Sequence, residues 1–158
     1  FVTIVSVLSF WLFNNPSSDE LFSEYFSPYE NVIHPISRTD KVKDIKTIAF
    51  ENYELGNYTD ALLNFDSLLS NNKEENEIIK FYKAVIYLKL NQPNKAINLL
   101  KGNLQHNLNW KDKNDWYLAL AYLKTNNIAE SKKVLLHLSQ LENNFKKNET
   151  LSLLKSLK

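Results

Sequence analysis

The sequence contains no cysteine, and it has only 2 glycines and 4 prolines among its 158 residues. Without cysteine, the chain forms neither a disulfide scaffold nor a zinc ribbon, and it has no thiol nucleophile. Average usage is about 7% glycine and about 5% proline, so this scarcity disfavours a β-sandwich with many tight turns and favours helices. The two glycines, Gly56 and Gly102, also stand too far apart for a glycine-rich phosphate loop.

Charge of neither sign is in excess, because 19 lysine and arginine residues face 18 aspartate and glutamate residues. A net charge of +1 removes the overall attraction to nucleic acid that a strongly basic chain would have. We therefore predict no nucleic-acid partner. The length fits one compact domain or one short repeat array. Since the first residue is Phe1 rather than methionine, we interpret the sequence as part of a longer chain.

Catalytic chemistry has little support in the sequence. The histidines, His34, His106 and His137, stand neither in a His-Glu-x-x-His motif nor beside a serine and aspartate pattern typical of a catalytic triad. We predict that the protein is not an enzyme and that it holds no cofactor and no metal ion.

Residues 1–13 are mostly apolar and carry no charge. A helix of that length spans about 20 Å, less than the roughly 30 Å hydrocarbon core of a membrane. Three interpretations follow: the end of a transmembrane helix whose beginning is missing, the apolar region of a signal peptide, or a buried helix of the domain. We predict the first for residues 1–15, because Trp11 and Phe13 suit a membrane interface and no cleavage-site pattern follows them.

Residues 16–39 are predicted to form a linker followed by an irregular aromatic segment. The part at 21–38 is rich in phenylalanine and tyrosine, while Pro28 and Pro35 exclude a long helix. Its apolar side chains are too many to leave in water. We expect this segment to pack on its own domain, and the alternative is that it docks a partner.

The remainder of the chain, residues 40–158, contains columns of similar residues that recur every 35 residues. Two columns hold small residues, and a third holds residues that tolerate left-handed backbone. A constant period with small residues predicts stacked helical hairpins, because small side chains let helices approach closely. The three columns are Ala49, Ala84 and Ala119; Ala61, Ala96 and Ser131; and Gly56, Asn91 and Asn126.

These columns resemble the tetratricopeptide repeat family, whose repeat has a small–aromatic–glycine–aromatic–alanine–aromatic pattern. The first repeat matches best, at Ala49, Gly56, Tyr58, Ala61 and Phe65. The later repeats depart from the pattern, with asparagine in place of glycine, with Pro93 and Ile128 in place of an aromatic residue, and with Ser131 in place of alanine.

The resemblance implies an all-α fold, a right-handed α-α superhelix made of three helical hairpins and a capping helix. The repeats are predicted at about 42–72, 77–107 and 112–141, and the capping helix at 147–157. In this family the first helices of the hairpins line a concave face that binds a peptide or a helix.

On this chain that face maps to a strongly apolar and aromatic set of residues. An apolar groove left open would be a sticky surface. We expect segment 21–38 to fill it near the first repeat, which leaves Trp116, Leu120 and Leu123 for a partner protein or for self-association. The predicted partner-binding residues are Phe50, Tyr53, Phe81, Val85, Leu88, Trp116, Leu120 and Leu123.

The order of segments resembles membrane-anchored repeat proteins of the Bacteroidetes group. It implies a non-catalytic scaffold module in a bacterial cell membrane, with a single transmembrane pass and with the repeats in the periplasm. Two alternatives stay open: a soluble cytosolic adaptor of the same repeat family, and the sensor half of an anti-sigma-like transmembrane regulator.

Overall fold

The structure is a computed structural model, and it describes residues 16–35, 43–69, 73–103, 108–142 and 144–157. All regular secondary structure within these ranges is helical, which confirms the predicted all-α class. The α-helices of the described ranges are α1 (Ser18–Tyr25), α2 (Ile45–Leu55), α3 (Tyr58–Ser67), α4 (Lys73–Lys89), α5 (Pro93–Leu100), α6 (Lys111–Lys124), α7 (Ile128–Gln140) and α8 (Lys147–Ser156). A short 3-10 helix, Leu108–Trp110, precedes α6.

The helices from α2 onward pair as hairpins of chain neighbours. Helix α2 packs on α3, α4 packs on α5, and α6 packs on α7. Helix α3 also contacts α4, and α5 contacts α6, so each hairpin lies against the next. Helix α8 packs on α7 at the end of the series, and it buries Leu153, while Leu157 directly after the helix is buried as well.

The turn inside each hairpin has the same backbone geometry. Gly56, Asn91 and Asn126 all have positive φ, at 79°, 56° and 56°. In each turn the N–H of the following residue bonds to a carbonyl five residues back, at 2.7 to 2.8 Å, which is the Schellman pattern that ends a helix. The predicted left-handed turn positions are therefore confirmed, and asparagine serves at two of them because it tolerates this conformation.

The two columns of small residues lie at the helix contacts. All six side chains, namely Ala49, Ala84, Ala119, Ala61, Ala96 and Ser131, are completely buried. Small side chains at these points let the helices of a hairpin pack closely. Ser131 differs from the alanines of its column because its hydroxyl makes no hydrogen bond within the described part of the chain.

Replacing Ser131 by alanine is expected to raise the free energy of unfolding by about 1 kcal/mol. Burial strips water from the Ser131 hydroxyl, and no protein group replaces the lost hydrogen bonds, so removing the hydroxyl removes this cost. Alanine is also the residue at this position in the other two repeats. Chemical denaturation measures the difference. Ser67→Ala is the matched control, since Ser67 is exposed in α3, and a similar gain there would attribute the effect to helix propensity alone.

Helix α1 lies in residues 16–39, which were predicted to form a linker and an irregular aromatic segment. Ser17 caps it, because the Ser17 hydroxyl accepts from the Glu20 N–H while the Glu20 carboxylate accepts from the Ser17 N–H. This reciprocal capping box, Ser-x-x-Glu before the apolar pair Leu21 and Phe22, was the signal in the sequence. Residues 26–35 then continue without regular secondary structure.

The predicted location as a single-pass protein of a bacterial cell membrane is corrected by the structure. Among the residues that the structure describes, no helix combines the length and the apolar character needed to cross a bilayer. The segment 1–15, on which that prediction rested, lies outside the described residues.

Candidate functional site

The first helices of the hairpins, α2, α4 and α6, form one face of the molecule, which we call the groove. Every residue predicted to bind a partner lies on these helices, and every one is buried, with at most 5% of its surface exposed. These residues are Phe50, Tyr53, Phe81, Val85, Leu88, Trp116, Leu120 and Leu123.

The groove is occupied by residues 18–35, which comprise α1 and the irregular segment after it and which we call the strap. Helix α1 packs on α6, and the irregular segment continues past α4 to α2. The strap thus crosses all three hairpins, in the direction opposite to their order in the chain. It covers more than the sequence analysis expected, because Tyr25 lies against Trp116 at 6.3 Å, and Trp116 is only 2% exposed.

Tyrosine hydroxyls hold the backbone of the strap. The Tyr117 hydroxyl donates to the carbonyl of Ser27 at 2.7 Å, and the Tyr82 hydroxyl donates to the carbonyl of Glu30 at 2.9 Å. The Tyr53 hydroxyl donates to the carbonyl of Tyr29 at 2.5 Å. Since these bonds end on main-chain atoms, they do not depend on the side chains of the strap.

One column of the repeat supplies a hydroxyl to the strap from every hairpin. Thr47, Tyr82 and Tyr117 stand 35 residues apart, and the Thr47 hydroxyl lies 2.8 Å from the Nε2 atom of His34 in the strap. Tyr82 also accepts from the Val32 N–H at 3.3 Å. The predicted partner-binding residues include the neighbouring column, Phe81 and Trp116, but none of Thr47, Tyr82 and Tyr117. The signal was present, since an aromatic pair ending in tyrosine recurs at the repeat period.

The strap residues that meet this column are Ser27, Glu30 and His34, which are three to four residues apart in the chain. Between the last two, the Asn31 side chain accepts from the His34 N–H at 3.0 Å and donates to the His34 carbonyl at 2.7 Å. The strap therefore turns before it reaches Thr47.

A ring of aromatic side chains surrounds Tyr29 of the strap. Its ring centroid lies between 5.4 and 6.3 Å from five other rings, and four of these pairs have the edge-to-face geometry that aromatic pairs prefer. The five rings belong to Phe81, Tyr82, Trp110, Tyr117 and Phe145. Among the described side chains of the strap, Tyr29 thus lies against the most aromatic rings.

Helix α1 is held to the end of α6 by charge as well as by apolar contact. Lys124 forms an ion pair with Asp19, and its ammonium group lies 4.9 Å from the centre of the Phe22 ring. The Ser18 hydroxyl donates to the Asn126 side chain at 2.9 Å, in the turn after α6. Leu21 and Phe22 are buried against the core.

Burial changes the acid–base behaviour of the groove tyrosines. Loss of hydration raises the pKa of Tyr53, Tyr82 and Tyr117 well above the usual value of 10.0. Burial also raises the pKa of Tyr29, and the nearby Asp112 carboxylate adds to that rise. The hydroxyls are accordingly protonated donors at neutral pH, which is the form that bonding to carbonyl groups requires.

His34 and Thr47 were considered as a catalytic pair, because in the described groove only there does an imidazole nitrogen lie within hydrogen-bond distance of a hydroxyl. A catalytic pair would need a carboxylate that orients the imidazole. The nearest capping carboxylate, Asp44, instead accepts from the Thr47 N–H at 2.7 Å, which holds its pKa below the usual value and caps α2. This arrangement ties the end of the strap to the start of α2. Among the described residues no group of three or more histidine, aspartate or glutamate side chains could hold a metal ion.

Two cavities flank the irregular segment of the strap. One of about 260 Å³ lies on the side of Tyr117, Phe145 and Lys146, and one of about 350 Å³ lies on the side of Tyr53 and Glu54. Both are also lined by residues 28–30 of the strap. Both open to solvent, so they are surface depressions beside the strap and not internal voids.

Comparison with known proteins adds no identification. No protein-family model matches the chain, no curated protein is significantly similar to it, and no solved structure has a significant match to its fold.

Proposed function

We propose that this chain is a non-catalytic protein-interaction module whose groove binds an extended peptide. The observation that carries this proposal is the row of hydroxyls from α2, α4 and α6 that bonds to the strap, mostly at its main chain. Main-chain bonds provide affinity for any extended segment, and side-chain pockets then select among segments. The ring of aromatic residues around Tyr29 is such a pocket.

We also propose that the hairpins form a right-handed superhelix of the tetratricopeptide type, with the groove on its concave face. The equivalent Schellman turns, the buried small residues at the period of 35 residues and the stacked hairpins support this arrangement. A scaffold of this kind holds the groove helices at a fixed spacing, so that a bound chain meets them in order.

Selection of displayed random peptides on the full chain tests this function, with the Tyr29→Ala variant of the chain as a second target. Selected peptides are expected to lose about tenfold or more in affinity when Tyr82 and Tyr117 are both changed to phenylalanine in the same background, because two donors to the peptide backbone are removed. Fluorescence anisotropy measures the affinities.

Tyr87→Phe is the matched control for these variants. Tyr87 also belongs to α4, but it lies away from the groove, with Lys95 over its ring at 5.1 Å. Its substitution should leave peptide binding unchanged. If neither target yields a peptide whose affinity depends on Tyr82 and Tyr117, the proposed function is rejected.

A further inference from the structure

We infer that copies of this chain associate head to tail, with an uncovered edge of α2 in one copy packed against α8 of the next. Helices α2 and α8 stand at opposite ends of the series of hairpins. Neither contact surface includes the hydroxyls of Thr47, Tyr82 and Tyr117, so this inference is independent of the proposed function.

One edge of α2 lacks the cover that the equivalent edges of α4 and α6 have. Ile48 is 37% exposed, whereas Lys83 and Leu118, one and two repeat periods later, are each 8% exposed. Lys83 shows what this column faces, because it forms an ion pair with Asp66 of the preceding hairpin. No described hairpin precedes α2, so its side chain in this column is left in water.

The uncovered edge of α2 is an apolar stripe, which we call the head stripe. It consists of Ile45, Ile48 and Leu55, all of them exposed. Spacings of three and seven residues place these side chains on one side of the helix. Single exposed apolar residues are ordinary, but three in a row on one helix indicate a surface that packs on another helix.

Helix α8 is uncovered in a similar way at the other end of the series. Leu151 stands one repeat period after Trp116, and it is 50% exposed while Trp116 is 2% exposed. Leu154 stands one period after the completely buried Ala119 and is itself only partly buried. No described helix follows α8. Leu151 and Leu154 lie one turn apart, and we call them the tail stripe.

The charges of the sequence are separated along the chain, although the net charge of +1 conceals this. Residues 1–72 contain ten acidic and four basic residues, whereas residues 73–158 contain eight acidic and fifteen basic residues. The molecule therefore has an acidic end and a basic end. Two copies attract each other when unlike ends meet and repel each other when like ends meet.

The same separation holds at the two stripes and identifies the occupant of each as the other end of a second copy. Residues 44–67, which hold α2 and α3, contain five acidic residues and one basic residue, whereas residues 128–158 contain six lysines and three acidic residues. Glu51 stands one turn after Ile48, and although it pairs with Lys43 it remains partly exposed. Lys155 is exposed one turn after Leu151. Each apolar stripe thus has a flanking charge that complements the other.

Because the two surfaces differ, the contact between copies is heterologous, and each oligomer retains one free head stripe and one free tail stripe. Oligomers of this kind grow beyond dimers as the concentration rises. Stripes of two or three side chains are small beside stable interfaces, which bury roughly 1,200 Å² or more, so association should require a high protein concentration.

Sedimentation equilibrium of chains with one blocked end tests this inference at concentrations up to about 1 mM. Ile48→Lys combined with Leu55→Lys blocks the head stripe, because it sets positive charge against the basic end. Leu151→Glu blocks the tail stripe, because it sets negative charge against the acidic end. The average mass of the unsubstituted chain should rise with concentration, and each blocked chain alone should stay monomeric. An equimolar mixture of the two should form one-to-one dimers and nothing larger, since one head and one tail remain.

Leu63→Lys and Leu63→Glu are the matched controls. Leu63 is exposed on α3, in a column that is exposed in all three hairpins, so both variants should associate as the unsubstituted chain does. Raising the salt concentration from about 0.05 to about 0.5 M should weaken the association several-fold, because salt screens the attraction between the ends.

Three results would overturn the inference. The first is an unsubstituted chain that stays monomeric at the highest concentration. The second is dimerisation of the Leu151→Glu chain alone, which would identify a symmetric contact of α2 with α2. The third is a mixture of folded blocked chains that stays monomeric. Circular dichroism checks folding, and Leu55→Lys alone replaces the double variant if that variant does not fold.

Discussion

Replacing Tyr82 by alanine is expected to lower the free energy of unfolding by about 4 kcal/mol, in the range of other buried aromatic truncations. Tyr82 is fully buried, and its ring joins α2, α3 and α4 to the strap. Truncation leaves a cavity at the point where these elements meet and removes several edge-to-face ring pairs. The neighbouring rings, with centroids 5.0 to 6.3 Å away, are those of Tyr29, Phe50, Tyr53, Phe65, Phe81 and Trp110.

Denaturation with urea, followed by circular dichroism, measures this loss against two controls. Tyr82→Phe keeps the ring and removes the bonds to Glu30 and Val32, so it should lose only about 1 kcal/mol. Tyr87→Ala truncates a half-buried tyrosine of the same helix on the other side, and it should lose far less than Tyr82→Ala. Equal losses at Tyr82 and Tyr87 would show that Tyr82 does not join the strap to the hairpins.

The helices and their turns could be predicted because they depend on local patterns. The period of 35 residues located the turns at Gly56, Asn91 and Asn126, and each has the expected left-handed backbone. The starts of helices were predicted less well where one side chain decides them. The first repeat was expected from about residue 42, but α2 begins at Ile45, where Asp44 caps it, and the Ser17 cap of α1 was overlooked.

The candidate site could be predicted only in part, because it joins segments that are far apart in the chain. The groove helices followed from the repeat, and packing of the aromatic segment on its own domain followed from its apolar content. Which strap residue meets which hairpin depends on the direction in which the strap runs and on the spacing of the groove helices. The sequence shows neither of these. Tyr29 contacts Phe145, more than a hundred residues later in the chain, and no local pattern connects the two.

Because the groove tyrosines are buried, the free energy of unfolding should fall at alkaline pH. The pKa values of Tyr53, Tyr82 and Tyr117 are raised in the folded state, so folding favours their protonated forms. Their stabilising contribution is complete below the unfolded pKa of 10.0 and falls as the pH rises above it, because the unfolded chain then releases these protons first. At about pH 11 the contribution of each tyrosine to the free energy of unfolding is about 1.4 kcal/mol smaller than at neutral pH. The three together lower it by about 4 kcal/mol.

Unfolding in urea at several pH values between about 9 and about 11 measures this slope, and phenolate absorbance reports the titration. Ion pairs of lysine in general also weaken near the ordinary lysine pKa of about 10.4, so the slope of the unsubstituted chain alone is not sufficient. The chain with Tyr53, Tyr82 and Tyr117 all changed to phenylalanine keeps those pairs and lacks the three hydroxyls. It should be less stable at neutral pH, yet it should lose markedly less stability between pH values of about 10 and 11. Equal slopes in the two chains would mean that the hydroxyls do not stay protonated against the strap, and the row of bonds that defines the groove would lose its support.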